Sequence, residues 1–146
     1  MAHPSVIETL IDLSTQQSED AAKRLGEAAR FSEQAQQKLD LLLSYREEYA
    51  TQLQHRLSQG LTAAEHLNFR GFIRNLDLAV EQQAQVLAAS QRSVESQRSH
   101  WQLCERKRLS FDTLSCRARQ EAQHKESRRE QKQTDEQAAR RRPTMN

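Results

Sequence analysis

A chain of 146 residues has the length of one ordinary domain, but its 36% hydrophobic content, mean hydropathy of −0.94, three glycines and two prolines exclude a compact fold with a sizeable core. The abundance of Ala, Glu, Gln, Arg and Leu instead fits long helices with one wet face each. Formal net charge is only +2 and uneven: 117–142 holds nine Lys/Arg against five Asp/Glu, and 1–116 holds thirteen against fifteen, so the basic excess belongs to the tail.

In chain order, Ser5 followed by Glu8 forms a capping box just after Pro4, which predicts a first helix over about 5–58. Its apolar seam runs through Ile7, Ile11, Ala21, Leu25, Ala28, Ala35, Leu39, Leu42, Tyr49 and Leu53, spaced alternately by four and three once the polar seam positions Ser14, Ser18, Ser32 and Arg46 are included. Gly60 is expected to end this helix as a left-handed cap within an apex loop of about 59–62, and Thr62 with Glu65 opens a second helix. That helix is expected over about 63–138, with a frayed basic tail at 139–146. Its seam is Phe69, Ile73, Leu76, Val80, Leu87, Val94, Trp101, Cys104, Phe111, Ala118 and Ala122, with polar Gln83, Ser90 and Gln97 between. Gly71 is an oddity, at a helix cost of ~1 kcal/mol, and suggests a soft apex.

Two long helices joined by so few residues double back, so the expected fold is all-α: a long antiparallel two-helix coiled-coil hairpin. If paired positions sum to 122, Tyr49 meets Ile73, Leu42 meets Val80, Ala35 meets Leu87, Ala28 meets Val94, Ala21 meets Trp101 and Ile11 meets Phe111, each layer apolar on both sides. The same register leaves the second helix without a partner from about residue 118 onward. A closed hairpin is already paired, so a monomer is expected.

No catalytic motif presents itself: there is no Gly-rich phosphate loop, CxxC, HExxH or nucleophile elbow, so no enzyme activity, cofactor or metal is expected. His100 and Cys104 stand i,i+4, but two ligands do not close a zinc site and Cys104 is a seam position. Cys104 and Cys116 are twelve residues apart on one helix, about 18 Å, too far for a disulfide. With no 18-residue apolar run and no signal-like N-terminus, a cytoplasmic protein without membrane insertion is expected. The Arg-rich tail admits a basic-helix nucleic-acid binder as one alternative, but its acids are interleaved and it lacks aromatics to stack on bases, so a solvated face is favoured. Beside the seam near the apex, Phe72, Ala79 and Val86 share one g column and Tyr45 stands in the g column of the first helix, which with the flanks of Leu42, Tyr49 and Leu76 makes a lateral apolar strip. Local cover of Phe72 by Leu61 and Leu67 is the competing expectation.

The opening Ser5-Val6-Ile7-Glu8-Thr9-Leu10-Ile11-Asp12-Leu13, the segment Leu42-Leu43-Ser44-Tyr45-Arg46-Glu47-Glu48-Tyr49 and the stretch from Phe69 to Glu81 ending Asn75-Leu76-Asp77-Leu78-Ala79-Val80-Glu81 resemble the flagellar FliJ family over essentially the whole chain. The resemblance implies a cytoplasmic component of the flagellar type III export apparatus, peripherally associated with the inner membrane at the flagellar base. It further implies a stalk-like coiled coil that engages the hexameric export ATPase, promotes its ring assembly and activity, meets the cytoplasmic region of the export gate and handles substrate chaperones. Carried over residue by residue, the gate-docking surface falls on Leu42, Tyr45, Tyr49, Phe72, Leu76 and Ala79. The family favours Gln where Lys38 stands and His where Gln83 stands, which leaves the lower edge of that surface open. Arg117, Arg119, Arg128 and Arg129 are the candidate ATPase-ring contacts. A generic cytoplasmic coiled-coil scaffold that dimerises through the seam is the other alternative.

Overall fold

The computed structural model describes residues 4–141, which form two helices, α1 (Pro4–Gln59) and α2 (Ala63–Arg141), packed against each other as a helical hairpin. α1 begins one residue earlier than the capping box suggests. Pro is well suited to a first helical position because its missing N–H would have been unpaired there. At the other end Gly60 takes φ of 95°, the left-handed conformation that releases the chain from the helix without a Cβ clash. Thr62 then caps α2: its Oγ1 accepts from the Glu65 N–H at 3.2 Å, and its carbonyl accepts from the His66 N–H at 3.0 Å. α2 continues to Arg141, because no proline intervenes before Pro143 and Ala138 and Ala139 favour helix. The rest of the tail expected to fray, 142–146, lies outside the described residues.

Gly71 does not interrupt α2, and a Cβ built there meets nothing within 4 Å. With helical backbone and open space, Gly71→Ala should stabilise the hairpin by ~1 kcal/mol, since alanine has less freedom to lose on folding. Thermal unfolding followed by circular dichroism measures it. An unchanged or lowered Tm would mean that the apex requires glycine.

The chain divides into two units. In the first, 19–102, the helices pack along the seam, and every seam position from Ala21 to Leu53 and from Phe69 to Trp101 is half-buried or buried. Ala21 and Ala35, which the register sets opposite Trp101 and Leu87, are only 2% and 4% exposed, while no large side chain is fully enclosed. A two-helix seam has no third element to close over a large side chain, so small residues are the ones it can hide. Ser90 is buried at one polar layer and donates to the Leu87 carbonyl at 2.7 Å, within its own helix. Gln83 Nε2 reaches across and donates to the Ala35 carbonyl at 3.1 Å. This bond, the Arg46–Asp77 ion pair at 3.3 Å and the Tyr49–Phe72 ring contact all join positions whose numbers sum to within four of 122.

In the second unit, 4–18 with 103–141, Ser14 and Ser18 are buried. Ser14 Oγ donates to the Ile11 carbonyl at 2.9 Å, and Ser18 Oγ donates to Glu105 Oε1 at 2.5 Å. Arg108 binds the same carboxylate, with Nη2 2.9 Å from Oε2, and also reaches Asp112 at 3.2 Å. The Arg108 hydrogen bond first and the Ser18 hydroxyl second hold Glu105 below the usual carboxylate range, and Glu105 in turn raises Arg108. A polar seam is therefore tolerated here because its groups find partners. Beyond Ser115 every described residue, 116–141, is exposed, although the backbone stays helical.

Candidate functional site

The helical period explains how aromatic side chains come to be exposed beside a filled seam. Residues at a and d face the partner helix, and those at g stand on its flank, where one side meets the neighbour and the other meets water. Phe72 is 43% exposed and Tyr45 44%, values that would be unusual for aromatics with cover on both sides. Phe72 does have one neighbour. Its ring lies 4.4 Å from that of Tyr49, centroid to centroid, at an interplanar angle of 45°. Of the two residues that the competing expectation sets over Phe72, Leu67 is 68% exposed and Leu61 is half-buried.

The six positions at the apex thus divide by depth. Leu76 is 9% exposed and belongs to the core, Leu42, Tyr49 and Ala79 are half-buried, and Tyr45 and Phe72 stand out. Tyr49, held in the seam, supplies the surface on which Phe72 rests. Nearby, the Arg56 guanidinium carbon lies 5.9 Å from the centroid of the Phe69 ring. Arg46, a charged residue in the seam itself, is accommodated by its pair with Asp77. One exposed aromatic was not singled out by the apex-centred reading of the sequence: Phe31, 57% exposed, occupies the g column of α1 two heptads before Tyr45. The same column count that finds Tyr45 finds Phe31 when carried down the helix.

The other candidate set lies on the exposed stretch of α2. Arg117, Arg119, Arg128 and Arg129 are all exposed, and Arg128 and Arg129 line a shallow hollow with Ala122, Lys125, Glu126 and Lys132. In the heptad count the seam columns here carry Ala118 and Ala122, then Lys125, Arg129 and Lys132, then Glu136 and Ala139, so from 125 to 132 the face that is apolar in the paired part of α2 becomes cationic. Among the described residues no group of three or more His, Cys, Asp or Glu could hold a metal ion, and no helix is long and apolar enough to cross a membrane.

Residues 4–143 match the family model described as "Flagellar FliJ protein". The chain is 34% identical over 140 residues to the flagellar FliJ protein of Escherichia coli (strain K12), an alignment covering 96% of this chain and 95% of the relative. Against the flagellar FliJ protein of Salmonella typhi it is 32% identical over 140 residues with the same coverage, 96% and 95%. Among solved structures it is similar in fold to a YscO homologue of Chlamydia trachomatis, with a TM-score of 0.50 at 15% identity, covering 93% of this chain and 88% of that one. The chain belongs to the flagellar FliJ family, a family of type III export components.

Proposed function

We propose that this chain is a non-enzymatic adaptor of flagellar type III export that docks the cytoplasmic region of the export gate through the strip around Tyr45 and Phe72, and engages the hexameric export ATPase through the exposed stretch of α2. On this reading it promotes assembly and activity of the ATPase ring, hands over substrate chaperones, and works in the cytoplasm at the inner membrane without a cofactor. The observation that carries the proposal is the coexistence of a filled seam with exposed aromatics beside it: the helices have satisfied each other, and Tyr45 and Phe72 still present apolar surface. Support for the second surface comes from 116–141, which keeps a helical backbone with no covering partner and a cationic face where its seam would be. Isolated helix is marginal in water, so a stretch of this kind gains order from a binding partner.

The scaffold alternative makes a different demand on the seam, because it would pair two chains instead of one chain with itself. Sedimentation equilibrium separates them irrespective of molecular shape. The hairpin account expects the monomer mass of 16.9 kDa across micromolar concentrations. A concentration-dependent doubling would favour the scaffold.

A further inference from the structure

The apolar strip does not stop at Tyr45 and Ala79. In the g column of α1, Phe31, Lys38 and Tyr45 follow one another at seven-residue intervals, and in the g column of α2 so do Phe72, Ala79 and Val86. The register sets Val86 opposite position 36, between the levels of Phe31 and Lys38, and Val86 and Phe31 are both exposed, at 41% and 57%. Between this lower pair and the apex aromatics stands one charge. Lys38 is exposed, has only Gln34, Ala35, Leu41 and Leu42 at three and four residues' distance on its own helix, and forms no ion pair among the described residues. The nearby acids Asp40 and Glu81 fall in b columns, on the other flank, and α2 contributes no acid to the g and c columns from Phe72 to Ala89.

We propose that Phe31, Val86 and Lys38 form the lower half of the docking surface, and that its occupant is an amphipathic helix of the partner with a carboxylate at Lys38 between apolar side chains above and below. Seven residues of helix advance about 10.5 Å, so both g columns repeat at the interval of two helical turns, which a helix laid along the strip would match. A lone cation framed by apolar side chains selects a helix bearing an acid at the middle contact and disfavours one bearing Lys or Arg there. This inference rests on the docking reading.

The test is calorimetric titration of the full chain with the recombinant cytoplasmic region of the export gate, at low and high salt, using Phe31→Ala, Lys38→Glu and Phe72→Ala. Phe31→Ala and Lys38→Glu should each weaken binding by about tenfold or more, the Lys38→Glu deficit should shrink at high salt, and none should unfold the hairpin, since these side chains are exposed. If Phe72→Ala weakens binding while the other two leave it unchanged, the lower half is overturned and the docking reading stands. Loss on Phe31→Ala without loss on Lys38→Glu overturns the carboxylate. No effect of any variant, or no binding by the unmodified chain, overturns both. A doubling of the chain's own mass that Phe31→Ala abolishes would make the occupant a second copy and overturn the proposal.

Discussion

Replacing Phe72 by Ala should weaken binding to the export gate's cytoplasmic region by about thirtyfold or more while lowering Tm by only a few degrees. The affinity loss follows from the usual behaviour of a truncated aromatic anchor, ~2 kcal/mol or more. The cost in stability is small because Phe72 is 43% exposed and its ring contact with Tyr49 contributes ~0.5–1.5 kcal/mol. Val80→Ala should show the reverse. Val80 is a half-buried seam residue, so its truncation should cost ~1–2 kcal/mol of hairpin stability and leave gate affinity nearly untouched. Circular-dichroism melting and gate titration on the same two variants decide the matter. A large fall in Tm for Phe72→Ala with unchanged affinity would place Phe72 in the core and remove the docking strip.

Deleting 118–146 should abolish stimulation of the export ATPase and leave the melting of the seam nearly unchanged. The described residues of that stretch are exposed throughout, so their removal takes away no packed layer. Reversing charge at Arg117, Arg119, Arg128 and Arg129 together should reproduce most of the loss without shortening the helix, because the exposed cations on several columns of the stretch would be replaced by acids that repel an acidic partner surface. Steady-state ATP hydrolysis by the ring measures both variants. Full stimulation by the truncated chain would show that ring engagement lies elsewhere on the hairpin.

The seam was legible because a four-three spacing has one physical meaning over so many residues. From Ile7 to Leu53 and from Phe69 to Phe111 its positions are half-buried or buried, including polar Ser14, Ser18, Gln83 and Ser90. What made those polar residues acceptable was not legible. Ser18 finds Glu105 and Gln83 finds the Ala35 carbonyl across the hairpin, and such partners depend on side-chain reach at a particular register, which column counting does not resolve. The start of α1 at Pro4 falls within one residue of the expected one, because the Ser-x-x-Glu pattern and a helix-opening proline stand side by side there. At the candidate site the columns indicated which residues flank the seam but not their depth. Leu76, a seam position whose flank joins the strip, is 9% exposed, and Phe31, two heptads from the apex in the column of Tyr45, is 57% exposed.

On the proposed function, one chain holds the gate and the ATPase at the same time on separate surfaces. Sedimentation velocity on a mixture of the full chain, the ATPase and the gate's cytoplasmic region tests it directly. The account predicts a complex containing all three, which loses the gate region with Phe72→Ala and the ATPase with deletion of 118–146. Mutually exclusive binding, in which added gate region displaces the ATPase from the unmodified chain, would contradict it.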